Sequence, residues 1–216
     1  LTYVVLRSSR HAEPLIDLSL FQHRRFTSAS IATFAFNLPV AGFWFSAPLF
    51  MQTVWNWSVL KSGCSIMPTP VIIFLTATIS GRYSDRGWMK RIISSGMLLS
   101  GLGLFGLFVF LDENVRYFTH YFPFAVLYGI GLGLAWSTLT GAALMGIDHE
   151  KFGIANGTNL TFRQMGGAMG VAMVIAVSGV AGVAGSAAAF QRVWLALALW
   201  VAVTLAFFTF AYPKDH

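Results

Sequence analysis

The chain has 216 residues, of which 56% are hydrophobic and 10% are charged, and its formal net charge is +6. Because a soluble domain carries about 25% charged residues, this composition argues against an ordinary soluble protein and favours a membrane protein. The basic residues sit in short segments between apolar runs rather than in one stripe, so nucleic acid is not an expected partner. The single cysteine, Cys64, excludes an internal disulfide.

Long runs without any Asp, Glu, Lys or Arg recur along the chain. They are 26–60, 62–81, 92–111, 117–147, 164–191 and 193–213. About twenty apolar residues cross the hydrocarbon core of a bilayer as a helix, and a helix bonds its own backbone groups there. The sequence therefore predicts an all-α membrane protein with six spans. We place these spans at 27–54, 65–82, 92–111, 121–146, 153–181 and 190–212.

These spans divide the chain into three parts. Residues 27–212 are the predicted six-helix transmembrane bundle, residues 1–26 a cytoplasmic linker that includes the end of a preceding helix, and residues 213–216 a cytoplasmic tail. The chain starts at Leu1 rather than at Met, and its first six residues are mostly apolar. We therefore expect the chain to be the rear part of a longer protein.

Lys and Arg are distributed unevenly between the two sides of the predicted bundle. One side holds ten of them and the other holds three. The ten are Arg7, Arg10, Arg24, Arg25, Arg82, Arg86, Lys90, Arg91, Lys151 and Lys214, and the three are Lys61, Arg116 and Arg192. By the positive-inside rule the first side faces the cytoplasm. We expect a multi-pass protein of the cell (plasma) membrane with both ends of the chain in the cytoplasm.

Four of the six spans carry polar or helix-breaking residues, whereas the third and sixth carry almost none. Such residues are tolerated at membrane depth where they face protein or a water-filled cavity. We therefore expect the first, second, fourth and fifth spans to line an interior, and the third and sixth to face lipid. The candidate residues for a substrate cavity are Asn37, Trp44, Gln52, Trp136, Asn156, Asn159, Arg163 and Gln164.

Arg163 is the one charged residue well inside a predicted span. Two interpretations stay open: its side chain extends toward the cytoplasmic side, or it bonds a partner or substrate in the cavity or at a gate. The pairs Gly129 and Gly133, Gly153 and Gly157, and Gly166 and Gly170 have the spacing that lets membrane helices approach closely, so we interpret them as packing positions.

Signals of catalysis are absent from the sequence. It contains no H-E-x-x-H or G-x-S-x-G motif and no cluster of His, Cys and carboxylates, and its five His are scattered over loops and ends. We therefore expect no enzyme activity, no cofactor and no metal.

The loop after the second span carries a family signature. Its sequence, GRYSDRGWMKR at 81–91, resembles the G-x-L-[A/S]-D-R-x-G-R-[R/K] loop of the major facilitator superfamily. Tyr83, Trp88 and Met89 depart from that pattern. Gly81, Ser84, Asp85, Arg86 and Lys90 match it. The candidate gating loop consists of Gly81, Asp85, Arg86, Lys90 and Arg91.

Two further segments narrow the resemblance. Residues 13–26 resemble the linker before the ninth helix in the fourteen-helix drug:proton antiporter branch of that superfamily, and residues 153–172 resemble its thirteenth helix. The resemblance implies a six-helix bundle of major facilitator type, the C-terminal half of a larger transporter. The missing N-terminal helix bundle is then a partner, beside the lipid bilayer and a small-molecule substrate.

The resemblance also implies a function. Family members of this branch export drugs or other lipophilic or cationic small molecules by alternating access, against inward proton flow. No Asp or Glu lies inside a predicted span, so a proton relay of the usual carboxylate type would lie in the other half. The alternative is a truncated or split remnant without transport activity on its own, at most an assembly partner. A six-helix membrane enzyme is disfavoured because no catalytic constellation is present.

Overall fold

A computed structural model describes residues 18–83, 88–180 and 186–212. Within this part of the chain, six helical segments are long and apolar enough to cross a membrane, which confirms the predicted multi-pass, all-α architecture. The helices are α1 (Arg24–Thr53), α2 (Val59–Ile66), α3 (Pro68–Tyr83), α4 (Met89–Phe110), α5 (Phe122–Leu144), α6 (Phe152–Val180) and α7 (Ala187–Ala211). Helices α2 and α3 together form the second span, and the π-helical turn Tyr117–Tyr121 leads into α5.

The predicted and observed spans differ most at the second one. The sequence between Asn56 and Gly63 looks like a loop, yet α2 begins at Val59. The Ser58 side chain caps this helix by accepting a hydrogen bond from the Lys61 backbone N–H at 3.3 Å, which satisfies one of the free donors of a helix start. Pro68 then opens α3, a position where its missing N–H costs little.

Helix α1 packs against α5, α6 and α7, while α4 packs against α5 and α7, and α3 against α5. Aromatic residues fill the space between α1 and α7. The Phe50 ring meets the Trp194 ring edge-on at 5.0 Å, and Trp194 Nε1 donates a hydrogen bond to Ser46 Oγ at 3.2 Å. Because lipid removes most of the hydrophobic drive between helices, packing and such interhelical hydrogen bonds hold the bundle together.

Helices α1 and α6 approach each other closely. A Cβ atom added at Gly166 would collide with the Phe34 carbonyl oxygen, and one added at Gly170 would collide with the Leu38 carbonyl oxygen. These two glycines are therefore packing positions, as predicted. By contrast, a Cβ added at Gly153 or at Gly157 would meet no atom within 4 Å. The packing role predicted for this pair is therefore wrong among the described residues, and both glycines lie on the open side of the same helix.

The six spans differ in how much of their surface the bundle covers. In the second span, formed by α2 and α3, and in the fifth, which contains α6, only 17% of the residues in an apolar 18-residue stretch are buried. The corresponding values are 44% for α4 and 39% for α7. Apart from residues near their ends, namely Arg91 and Ser95 of α4 and Arg192 and Thr209 of α7, the exposed residues of α4 and α7 are apolar, whereas α6 exposes Asn156, Thr161 and Gln164. An amide in contact with lipid is poorly satisfied, so the open face of α6 is chemically unlike the lipid-compatible faces of α4 and α7.

Contacts between helix ends show which ends of the spans lie on the same side of the bundle, and they agree with spans that alternate in direction. At one end, here called the basic end, Lys90 Nζ donates to the Tyr212 carbonyl oxygen at 2.7 Å, and Lys151 Nζ lies 2.9 Å from Ser19 Oγ. At the opposite end, Trp55 Nε1 donates to the Asp112 carbonyl oxygen at 3.1 Å. Hydrogen bonds from the side chain and the backbone N–H of Asn114 lower the pKa of the Asp112 carboxyl group.

Candidate functional site

Polar side chains link α1 and α6 in the interior of the bundle. The Asn159 side chain is buried and its Nδ2 donates to Ser30 Oγ and Thr33 Oγ1, each at 3.3 Å. One turn further along α6, Asn37 Nδ2 donates to the Arg163 carbonyl oxygen at 2.6 Å. Both amides therefore satisfy part of their hydrogen-bonding capacity inside the bundle, at the contact that the glycines of α6 make possible.

A small cleft opens beside this contact, between α1, α5 and α6. Its lining residues are Thr33, Phe36, Asn37, Trp136, Leu139, Thr140 and Arg163. Residues three or four apart share one face of a helix, and this spacing places the three residues from α1 and the three from α5 on facing sides. The cleft combines an aromatic and aliphatic wall with two hydroxyls, one amide and one guanidinium.

Arg163 is the only charged residue of the cleft. It follows eleven residues after the start of α6, which corresponds to about 16 Å along the helix axis. Its guanidinium carbon lies 5.5 Å from the centre of the Trp136 ring, within the range of a cation–π interaction. Since Trp136 is itself eight residues from the end of α5, the guanidinium is held inside the bundle rather than at its end.

The guanidinium of Arg163 has no anionic partner among the described residues, and it lies near the Trp136 ring. The described carboxylates, Asp112, Glu113, Asp148 and Glu150, all lie outside the long helices, near their ends. The cleft therefore presents an uncompensated positive charge at membrane depth. Such residues are costly in a membrane and usually face a cavity or a partner.

The structure brings together three of the predicted cavity residues, Asn37, Trp136 and Arg163, with Asn159 one turn away. The other four lie elsewhere. Trp44 is half-buried and meets the Phe43 ring edge-on at 5.8 Å, Gln52 is half-buried in the last turn of α1, and Asn156 and Gln164 are exposed on α6. Their role in a substrate cavity stays a prediction.

Sequence reasoning missed Thr33, Phe36, Leu139 and Thr140 as lining residues of the cleft. Hydroxyl and apolar residues are common in every span, so none of the four differs from its surroundings in composition. A helical-wheel argument was available, because Thr33 lies four residues before Asn37 and Thr140 four residues after Trp136. That argument needs the rotation of each helix, which the sequence alone does not supply.

The candidate gating loop is described in part. Gly81 is exposed near the end of α3, and Asp85 and Arg86 lie outside the described residues. Lys90 donates to the carbonyl oxygen of Tyr212, the residue after α7, where a positive charge is favoured by the helix dipole. The Arg91 guanidinium lies 5.6 Å from the Trp88 ring centre. At this end of the bundle, Lys90 thus joins α4 to α7.

A second groove runs between α4 and α7. It is lined by Met97, Leu98, Gly101, Leu102, Phe105, Leu195, Ala198, Leu199, Val201, Ala202 and Leu205. No lining residue is charged, so the groove offers no polar group to orient a ligand. That these two spans face lipid stays a prediction.

Comparison with known families identifies the chain. The family model described as Major Facilitator Superfamily matches residues 5–171. The chain belongs to the major facilitator superfamily. This is a family of membrane transporters rather than of enzymes, and the six-helix bundle described above fits its architecture.

The chain is similar to several multidrug transporters. It is 28% identical over 173 residues to the Multidrug transporter protein MdtP of Bacillus subtilis, covering 80% of this chain and 32% of the relative. It is 30% identical over 168 residues to the Multidrug resistance protein B homolog of Mycobacterium tuberculosis, covering 76% and 31%. For the Quinolone resistance protein NorB of Staphylococcus aureus the identity is 30% over 177 residues, covering 81% and 37%. The chain thus matches about a third of the length of these relatives.

Proposed function

We propose that the chain is part of a proton-coupled secondary active transporter of the cell membrane, which exports drugs or other lipophilic small molecules by alternating access. The observation that carries this proposal is membership of the major facilitator superfamily together with relatives named as multidrug transporters. The resemblance of the sequence also admits cationic substrates. The fold agrees with the proposal, because six packed helices of membrane length leave a polar face and a cleft available for a solute.

A second helix bundle completes the proposed transporter. Two features of the structure support this part of the proposal. The spans that contain α3 and α6 have the smallest buried fraction. In addition, α6 exposes amide side chains, whose hydrogen-bonding groups lipid cannot satisfy. We place the second bundle opposite these two helices, with the substrate path between the bundles. The cleft at Arg163 then lies beside that path. Asn156, exposed on the open side of α6, lies two helical turns before Arg163 on nearly the same face of the helix, and the exposed Gln164 follows Arg163 directly.

Proton coupling is assigned to the second bundle. The described spans contain no carboxylate, and membrane-embedded carboxylates are the usual proton relays of pumps. The described part of the chain therefore contributes substrate contacts and conformational change, whereas the proton site lies in another part of the transporter. If the second bundle is missing, the chain has no proton site. The alternative function is therefore that of an assembly partner without transport activity on its own.

Efflux measurements test the proposal. A bacterial host without its own multidrug exporters is given either the complete reading frame that contains this chain or the chain alone, and is loaded with fluorescent lipophilic dyes. We expect dye efflux from the complete protein that stops when a protonophore collapses the proton gradient, and no efflux from the chain alone. Absence of efflux by the complete protein at normal membrane abundance would refute the proposed function.

Arg163 variants of the complete protein extend this test to the cleft. Arg163→Ala removes the guanidinium from the Trp136 ring and should abolish efflux. Arg163→Lys keeps the charge but loses the planar fork of N–H donors, and should retain part of the activity. Efflux is normalised to the amount of protein in the membrane. Efflux at the parent level by the Ala variant would show that the cleft is not on the substrate path.

A further inference from the structure

The groove between α4 and α7 has room for part of an apolar ligand. Its volume is about 210 Å³, which exceeds the roughly 150 Å³ of an apolar protein cavity that binds benzene. Met97 and Val201 are buried and form its floor, while Leu102 and Leu199 are about half exposed at its rim. A Cβ added at Gly101 would lie 3.3 Å from Val201 Cγ1, so a larger residue at position 101 would narrow the groove.

The groove lies at the depth of the hydrocarbon core, on the side of the basic end. On α4 it runs from Met97 to Phe105, which are six and fourteen residues after Arg91. At 1.5 Å per residue, these positions lie about 9 to 21 Å from Arg91 along the helix axis. Since each leaflet contributes about half of the 30 Å hydrocarbon core, most of the groove lies in the leaflet next to Arg91.

The polar end of this path carries positive charge. Arg91 is exposed on the same face of α4 as Leu98 and Leu102 of the groove, because residues seven or eleven apart return to nearly the same angle on a helix. Lys90 adds a second positive charge between the two helices, since its Nζ donates to the Tyr212 carbonyl oxygen at 2.7 Å. Neither α4 nor α7 contains a carboxylate, so neither helix compensates this charge.

The start of α4 favours a phosphate group beside Arg91. The helix begins at Met89, so Arg91 lies in its first turn, where free N–H groups and the helix dipole attract phosphate. A guanidinium also pairs with phosphate through two parallel hydrogen bonds. Trp88 is 55% exposed, and its ring centre lies 5.6 Å from the Arg91 guanidinium carbon. Exposed Trp side chains prefer the level of the lipid headgroups, which places Arg91 at that level too.

We propose that α4 and α7 form a binding site for one anionic phospholipid, with its phosphate at Arg91 and one acyl chain in the groove. Basic pockets between membrane helices on the cytoplasmic side bind anionic headgroups in this way. Phosphatidylcholine carries the same phosphate, but its choline cation cancels the negative charge that Arg91 and Lys90 attract. The inference rests on the prediction that α4 and α7 face lipid, and it is independent of the exported substrate.

Photo-crosslinking with a matched pair of lipids tests the site. The complete protein that contains this chain is reconstituted in phosphatidylcholine vesicles with a trace of a diazirine lipid, and the labelled peptides are identified by mass spectrometry. The diazirine is on the same acyl chain of phosphatidylglycerol, which is anionic, or of phosphatidylcholine. We expect phosphatidylglycerol to label the groove residues of α4 and α7 about fivefold more than phosphatidylcholine does, which is the ratio that one Lys or Arg near the surface supplies.

Matched variants separate the headgroup contact from the groove. Arg91→Gln should abolish the preference for phosphatidylglycerol and Arg91→Lys should keep part of it, so a folding failure of the Gln variant leaves a second test. Arg82→Gln removes an exposed Arg at the same end of the bundle, on α3, and should leave the preference unchanged. Ala202→Phe fills the groove and should lower the label from both lipids, whereas Val203→Phe, on an exposed residue outside the groove, should not.

Three results would overturn the inference. Equal labelling of the groove by the two lipids in the parent protein would show ordinary contact with the bilayer. Absence of label from the groove would show that another part of the complete protein covers α4 and α7. A preference that appears only in Asp85→Asn would show that Asp85 neutralises Arg91 in the parent protein. Efflux enters none of these measurements, so a failure of the lipid site and a failure of the proposed function are distinguished.

Discussion

Replacing one glycine of α6 by alanine should destabilise the bundle at one position and stabilise it at another. A Cβ at Gly166 would collide with the Phe34 carbonyl oxygen, whereas a Cβ at Gly157 would meet no atom within 4 Å. Both substitutions gain about 0.5–1 kcal/mol because alanine favours the helix. Only Gly166→Ala must in addition push apart two backbones, and overpacking of this kind costs about 1–3 kcal/mol.

The comparison of the two variants isolates the steric cost, because the gain in helix propensity is common to both. We expect Gly166→Ala to lower the free energy of unfolding by about 1–3 kcal/mol relative to Gly157→Ala. Gly170→Ala, whose Cβ would collide with the Leu38 carbonyl oxygen, should behave like Gly166→Ala. Unfolding by sodium dodecyl sulfate in mixed micelles, followed by tryptophan fluorescence, measures these differences. Equal stability of the Gly166 and Gly157 variants would refute the close approach of α1 and α6.

Two predictions concern the ends of the bundle. In a Cys64→Ser background, which removes the exposed native thiol, a cysteine at Ser58 should react with an impermeant thiol reagent on intact cells and a cysteine at Ser84 should not; the opposite labelling would reverse the orientation. We expect Asp85 to pair with Arg86 or Arg91, and a surface ion pair contributes only about 0–1 kcal/mol. Asp85→Asn in the complete transporter should therefore reduce efflux by less than about fivefold without loss of membrane abundance. Unchanged efflux would show that Asp85 has no role in transport and that the loop contributes only its positive charge to the orientation in the membrane.

The number and position of the membrane helices could be predicted from the sequence because charge is excluded from the hydrocarbon core. Every predicted span corresponds to an observed one, with differences of a few residues at most ends. The exception is α2, where Asn56, Lys61 and Gly63 suggested a loop. Lys61 is exposed and lies 4.1 Å from the Trp57 ring centre, so a charge and a helix coexist at this end of the bundle.

The composition of the cleft could be predicted only in part. Asn37, Trp136 and Arg163 are conspicuous in apolar helices, and the structure brings them to one place. Asn156 and Gln164 are equally conspicuous, yet both are exposed on α6 and neither lines the cleft. Polarity marks a residue that avoids lipid, but it does not specify whether a helix, a cavity or a second bundle takes the place of lipid. That choice depends on helix rotation, which Gly166 and Gly170 fix by facing α1.

Helix α6 has two different surfaces: a glycine side that packs against α1 and an open side that exposes polar amides. Its glycine side needs the backbone of α1 at close range, which restricts the rotation of α6 to a narrow range. The same rotation turns Gln164 outward and leaves Arg163 at the border, with its guanidinium drawn back onto Trp136. Helix α4 carries neither a charged residue in its interior nor exposed amides, so we attribute the pattern on α6 to a solute or a protein partner on that side.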